Sequence, residues 1–552
     1  KQYVKPYFLA MCQVALGELD TAFIYFEQAL AEFDPFYNWF ATEPKLDHLR
    51  SDPRFIRIFR GTKNPLAFTE PLPIEVPVQI EPPSPTGVRS IAVLPLTLVS
   101  TAAGSDTGND YLRIGLADAL INRLSNVGRF VVRPTSSILP FAHRDLDSFA
   151  AGRLLGVDFV VDGNIRRVGD RIRVTVQLLS VRESKTVWSQ TFDERIVDVL
   201  DLEDSMSEKV ARSLLPQLSD DESRRLKKRG TENPEAFEAY LRGRHCWNTF
   251  TERGFAQALI YYNQSIAIAP DYALAYAGIA DYHNWLGLYA VLPFAETSAA
   301  ALEAARHAVA SDPDLADGYS ALAFAVLTHD FDWEAADRHH LRSLDLNPNF
   351  AIGHSLYSHY LTVAGRFDEA KYHCDRAVAL DPLTPIVQHG LSWSNFYARR
   401  YSEGVAAARR LVNNEPQYGL GYVFLSLALS QVGDHLAAIA AAKKCVELLG
   451  RSPYTLVWEA AAHAAAADAA TTNLLLDEIQ AAAPRRYVSP YLSAMVQVNL
   501  GNNERALELL DKAWEIRDAR LLWLGVDPVF DPLRREPRLT ALLRNTNNPA
   551  AT

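Results

Sequence analysis

The sequence lacks every short motif that would announce a reaction. There is no GxxxxGK[ST] phosphate loop, no HExxH, no GxSxG, no kinase HRD…DFG pair and no dinucleotide GxGxxG. Only four cysteines occur, at Cys12, Cys246, Cys374 and Cys445, and none forms a CxxC pair. That spacing excludes a disulfide framework or a cysteine metal site and suggests small buried helix residues. No apolar run approaches the ~18 residues needed to span a bilayer; the most apolar stretch, Ile91 to Val99, is broken by Pro95. Basic residues are in deficit, 55 Lys and Arg against 66 Asp and Glu for a net charge of −11. A phosphate-reading surface needs the opposite balance, so no direct nucleic-acid binding and no membrane insertion is expected. Lys1 stands where an initiator Met would and already reads as mid-repeat, so the natural N-terminus is expected to lie upstream.

What is present is ordinary globular composition, 48% apolar and 22% charged, over 552 residues. That length is too great for one core and suggests three to four folding units. Residues 1–63 are helical in pattern and aromatic, and 64–88 form a proline-rich extended linker. Residues 89–217 alternate short β-rich runs with helical patterns, and 218–233 are a charged connection. Residues 234–518 are Ala-rich and helical throughout, and 519–552 form capping helices and a tail.

The helical region is periodic. Prolines that follow an apolar helix end recur at 270, 313, 348, 382, 416, 453 and 484. The intervals cluster near 34, the length of two helices and two short turns. Within the unit ending at Pro382, Gly365 closes the first helix, and Ala370 and Ala377 lie on one face of the second. Such small residues permit close helix approach, while Tyr357 and Leu361 fill the spaces between. These units resemble tetratricopeptide repeats, about eight of them, which implies a right-handed α-solenoid with a concave groove. An insertion near Leu288 to Thr297 reads as a packing bulge or, less simply, a partner contact.

A longer repeat also exists: residues 1–65 align without gaps to 485–549, with 24 identities. Residues 1–63 are therefore expected to be the last repeat and cap of an upstream array.

In 89–217, Ser90 to Leu96 reads as a buried strand and Tyr111 to Val127 as an amphipathic helix. Two strands meet at Gly169-Asp170, a tight hairpin signal. The β-α-β-α-β-β-β-α order implies a mixed sheet with helices on one face. The phrases SIAVLPL, YLRIGLADALINRLS, LLGVDFVVDGNIRRVGDRIRVTVQLL and VWSQTFD closely resemble the TolB amino-terminal domain, although Leu96 stands where that family often has Phe. The fold class expected is α plus α/β, a solenoid of helix pairs with a small mixed-sheet α/β domain. The resemblance implies the region that follows the output domain of winged-helix regulators, serine/threonine kinases or class III cyclases.

Titratable groups offer no catalytic constellation. The histidines, among them His245, His339-His340, His354 and His359, read as satisfied or solvent-facing. The acidic run from Asp193 to Asp204 reads as a solvated helix start, and Arg166, Arg167, Arg171 and Arg173 as exposed strand arginines, with an anion site the alternative. No catalytic residue, cofactor or metal is expected. His359, Trp393, Asn395, Arg399 and Tyr422 are assigned to the groove, on first helices, as contacts for a protein or peptide, although no Lys/Asn carboxylate clamp is found. The reading is a non-catalytic interaction and sensory region of a bacterial signalling protein, in the cytoplasm. The alternative is a self-associating periplasmic or extracellular scaffold built of tandem units.

Overall fold

A computed structural model of the chain describes residues 10–11, 13–14, 18–31, 54–55, 89–99, 110–142, 147–168, 171–195, 199–215, 218–248, 252–289 and 292–551. The linker assigned to 64–88, most of the first cap and the hairpin turn 169–170 lie outside the described residues. The chain divides into two units, 1–82 and 83–552.

In the first unit, helix α1 (Leu19–Ala31) buries Ala22, Phe23 and Phe26. With the offset of 484 it coincides end for end with the helix Asn503–Glu515 of the second unit. Ala10, Ala22, Phe23, Phe26 and Phe55 are buried, and so are their counterparts Ala494, Ala506, Leu507, Leu510 and Leu539. Arg54 pairs with Asp20 as Arg538 pairs with Glu504. The duplication read from identities thus extends to helix bounds, core positions and an ion pair.

The second unit begins with a six-stranded sheet: β1 (Arg89–Val93), β2 (Thr97–Leu98), β3 (Phe130–Val132), β4 (Phe159–Val168), β5 (Arg171–Ser180) and β6 (Lys185–Arg195). The order is β3-β1-β4-β5-β6, with β2 extending the parallel edge of β4. β3, β1 and β4 are parallel, and β4-β5-β6 are antiparallel with Val168 opposite Arg171. Helix α2 (Asp110–Asn126) connects β1 to β3, and α3 (Thr135–Ile138) and α4 (Ser148–Leu155) connect β3 to β4. The two crossovers step in opposite directions, so right-handed connections put α2 and α4 on opposite faces. Gly152 of α4 lies against Val160 and Val181, while Val161, Ile165, Val174 and Val176 bury the other face. The expectation of helices on one face is corrected by this chirality. α5 (Val199–Leu214) and α6 (Asp220–Lys227) complete the domain.

Eight helix pairs follow. They are α7 (Pro234–Trp247) with α8 (Glu252–Ile268), α9 (Ala273–Leu288) with α10 (Phe294–Ser311), and α11 (Ala316–Asp330) with α12 (Trp333–Leu346). Next come α13 (Ala351–Val363) with α14 (Phe367–Leu380), and α15 (Pro385–Tyr397) with α16 (Tyr401–Asn414). The last are α17 (Gly421–Gln431) with α18 (His435–Leu449), α19 (Pro453–Ala465) with α20 (Ala469–Ala482), and α21 (Pro490–Asn499) with α22 (Asn503–Glu515). A strict periodicity appears in the backbone. Phe331, Gly365, Arg399, Gly433, Ala467 and Gly501, each 34 residues after the last, all take left-handed φ between 53° and 83°. From the second of these positions on, the next amide bonds back six-to-one into the preceding helix, as in Arg366 N to Leu361 O at 2.8 Å and Asp468 N to His463 O at 3.0 Å. This Schellman geometry satisfies the last carbonyls of each first helix and turns the chain into the second. Ala467 pays the left-handed penalty without a glycine's freedom. Ala467→Gly is therefore expected to raise stability by about 1 kcal/mol, read as a shifted urea midpoint at unchanged slope.

In the insertion, Phe294 is buried and its ring packs on Gly287, which fits a packing bulge, whereas Leu292 stays exposed. Two short turns after α22, Ala519–Trp523 and Pro528–Leu533, lead to α23 (Pro537–Asn545).

Candidate protein-interaction site

The α/β domain is locked to the array through buried polar contacts. α2 packs on α7 so closely that a Cβ at Gly115 would sit 3.0 Å from Leu241 Cβ. Tyr111 donates to Glu238 Oε1 at 2.6 Å and lies under the Arg242 guanidinium. Arg244 donates twice at 3.2 Å to the buried Asp118. Farther along, Arg133 at the end of β3 donates to Ala379 O (2.7 Å) and Leu380 O (2.6 Å), the last carbonyls of α14. Ser136 and Ser137 donate to Asp381, and Asn349 donates to Phe130 O at 2.9 Å. Sheet and array thus belong to one compact unit, joined at both α7 and α14.

Two sequence readings are refined by this packing. Glu203 is buried and accepts a bidentate pair from Arg123, so the acidic run is not wholly solvated. Burial raises the Glu203 carboxyl more than Arg123 lowers it. Asp193 lies on β6 and accepts from the Nε atoms of both Arg171 (2.9 Å) and Arg173 (3.0 Å), which accounts for those arginines without an anion.

The inner face of the solenoid, built from first helices, is closed. The curvature brings Tyr289 within 6.1 Å of Tyr454, ring to ring, across 165 residues. The C-terminal segment 519–551 then lies over it. Trp523 packs edge-on to Trp393 at 5.9 Å, and Arg520 donates to Leu288 O at 2.9 Å. Trp333 donates to Thr546 O at 2.8 Å, and Arg517 to His329 O at 2.9 Å.

The five residues assigned to the groove separate accordingly. His359 is half-buried and Trp393 buried, with ring centroids 4.1 Å apart, and Trp393 meets Trp523. Arg399 is not on a first helix as expected: it is the left-handed turn residue beyond α15, and it reaches Val526 O (3.3 Å) and Asp531 (2.7 Å) of the C-terminal segment. Asn395 is turned back to Leu391 O at 2.9 Å. Tyr422 donates to Pro416 O at 3.2 Å, away from the other four. His359, Trp393 and Arg399 thus meet one another or the chain's own C-terminal segment, whose part sequence spacing did not disclose. The one signal was the apolar density of Leu521 to Phe530, which exceeds what a solvated cap needs.

The histidine reading is also corrected. His354 is satisfied, by His373 at 2.8 Å and Pro348 O at 3.0 Å, but His245 Nδ1, His340 Nδ1 and His359 Nε2 are buried with no hydrogen-bond partner. Of these, His340 and His359 face the cavity on the inner side of the array, and His245 lies apart from it on α7.

Asp527 is expected to make the segment's seating pH-dependent. It is 3% exposed, accepts from Tyr491 Oη (2.9 Å) and Val529 N (3.0 Å), and burial pushes its carboxyl up to about 6. The folded state therefore holds this proton where the unfolded chain, near 3.9, releases it. The stabilisation is present below about pH 4 and is lost as pH rises through 6, by roughly 3 kcal/mol. Asp527→Asn is expected to flatten that slope; denaturation midpoints at pH 4.5 and 7.5 check it, and an unchanged slope would refute it.

Among the described residues no group of three or more His, Cys, Asp or Glu is placed to hold a metal ion. No helix among them is long and apolar enough to cross a membrane.

The family described as HilA/YgeH-like transcriptional regulator, second domain, matches residues 87–209. A protein from Rhizobium meliloti (strain 1021) named putative adenylate cyclase 3 is 27% identical over 251 residues. That match covers 44% of this chain and 41% of the relative, so the chain spans less than half of that relative's length. A tetratricopeptide repeat protein from Parabacteroides merdae ATCC 43184 aligns over 56% of this chain and 100% of its own, at 13% identity and TM-score 0.30. TolB from Acinetobacter baumannii aligns over 24% of this chain and 30% of its own, at 17% identity and TM-score 0.17. Scores of this size carry no argument. The helix pairs and the 34-residue turn spacing themselves define the array as a solenoid of helix hairpins with the tetratricopeptide period.

Proposed function

We propose that the chain is the non-catalytic interaction and sensory region of a larger bacterial signalling or regulatory protein, working in the cytoplasm. The observation that carries this is the Arg133 clamp, which ties the α/β domain to the middle of the array. A partner that changes the solenoid's curvature would shift α14 and, through it, the sheet. The relative named as a putative adenylate cyclase and the transcriptional-regulator domain match support an output domain elsewhere in the protein. The strand and hairpin phrases of 89–217 support a TolB amino-terminal-like α/β domain.

Within this proposal His359, Trp393 and Arg399 belong to the part of a partner site that the segment 519–551 covers at rest, and Asn395 and Tyr422 to the part it leaves open. A partner peptide would displace it. A synthetic peptide of residues 519–536, added to the Trp523→Ala protein, is the direct probe. It is expected to bind at least tenfold tighter than to the parent protein, and Arg399→Ala is expected to weaken it. Equal binding to both, or none, would refute the covered-site reading.

The duplication of 485–549 in 1–65 favours one second reading, a self-assembling scaffold of tandem units. Sequencing the intact native protein upstream of Lys1 separates the two. A cyclase, kinase or winged-helix domain supports the first, and another α/β domain with its own repeats supports the second.

A further inference from the structure

We propose that the cavity formed between the array and the C-terminal segment is a binding site for a small planar carboxylate. Six successive first helices, α9, α11, α13, α15, α17 and α19, converge on it, and the turn Ala519–Trp523 closes it. Its volume is about 70 Å³. At ~30 Å³ per water that is room for roughly two waters, or for a flat ligand of about four to six non-hydrogen atoms.

The walls lack partners in a way packing alone does not explain. His340 Nδ1, His359 Nε2, His389 Nδ1, Trp458 Nε1, Trp523 Nε1 and Arg520 Nε are all buried without a hydrogen-bond partner, and all six residues line this one cavity. Buried polar atoms left unpaired are rare and costly, and each calls for an explanation. His340, His389, Trp458 and Trp523 are each less than a tenth exposed.

The chemistry of these atoms selects the ligand. Indole and guanidinium nitrogens only donate, so the occupant must accept. Arg520 is the sole formal charge in the lining, which contains no Asp, Glu or Lys, so the occupant is anionic. Its Nη2 is held by Leu288 O and its guanidinium lies 5.6 and 5.7 Å from the Tyr454 and Trp458 rings, which leaves Nε for the ligand. The imidazoles add no charge, because burial pushes His340 and His359 down to about 3 and His389 to about 4. As neutral rings they donate or accept as needed. A carboxylate presents acceptor sites on two oxygens, enough for several of these donors, and the aromatic walls favour a flat carbon tail. Because Arg520, Leu522 and Trp523 come from the C-terminal segment, a bound ligand holds that segment down.

Crotonate is the probe, with crotonamide as its neutral isostere and sodium chloride to hold ionic strength. The intact chain is expected to show a saturable change in tryptophan emission and a raised Tm with crotonate at millimolar levels. Crotonamide is expected to give neither. Arg520→Met is expected to weaken the response at least tenfold while unfolding stays cooperative. Should that variant not fold, His389→Phe, which fills the cavity and spares Arg520, is expected to abolish the response. The proposal is overturned if crotonate and acetate give no saturable response in the unmodified chain. It is equally overturned if crotonamide matches crotonate, or if the folded variants respond as the parent does.

Discussion

Arg133→Ala is expected to destabilise the second unit by about 3–5 kcal/mol and to split its unfolding into two transitions. Arg133 is 3% exposed and donates to four carbonyls on two bodies. Two of these, Leu155 O at 2.9 Å and Gly156 O at 3.3 Å, belong to the end of α4. The other two are the terminal carbonyls of α14, where a helix has no internal donor left and its dipole favours a cation. Burial disfavours the guanidinium charge and the nearby Asp381 restores part of it. Removing the side chain strands four acceptors and takes a cation from near Asp381, whose carboxylate keeps its bonds from Ser136, Ser137 and Thr384 N. The α/β domain would keep its sheet and the array its repeats, so cooperativity between them is what fails. Urea denaturation followed by tryptophan emission and by far-UV circular dichroism would no longer coincide. Arg133→Lys, which keeps the charge but loses the fork, should fall between the two. A single transition shifted by less than about 1 kcal/mol would show that the clamp is not what joins the domains.

Trp523→Ala is expected to cost about 3–5 kcal/mol, the usual range for emptying a buried tryptophan site. Trp523 is 6% exposed, is fixed against Trp393, and belongs to a turn whose neighbours Leu521, Leu522 and Leu524 are also buried. The loss is expected to be local in kind: the turn Ala519–Trp523 loosens first, because the eight helix pairs close their own cores without it. Hydrogen exchange should therefore accelerate in 519–536 and in the first helices α13 and α15, with little change in α8 or α10. Uniform acceleration along the array would mean that the segment is an integral repeat rather than a cover.

Residues near one another in sequence carried much of the architecture. The period near 34, the gapless duplication and the strand–helix order of 89–217 were all legible, since turn chemistry and side-chain periodicity are local properties. The proline intervals wandered between 31 and 43 because proline marks only where a helix cannot continue. The left-handed residues mark the turn itself, and they keep strict 34-residue spacing even where Arg399 and Ala467 replace glycine. The single-faced sheet was misread because crossover direction follows from strand order, and strand order is not local.

The candidate site was far less legible. His359, Trp393 and Arg399 could be placed within their repeats, but what they meet lies more than 120 residues away in the cases of Trp523, Val526 and Asp531. Arg133 finds its carbonyls 246 and 247 residues on. Such meetings depend on small rotations between neighbouring repeats, each set by packing and summed over six helix pairs, until first helices face one another across a closed space. No residue spacing encodes that sum. The chain's local pattern made repeats inevitable, and the accumulated curvature chose which of their side chains are buried together and which end of the chain covers them.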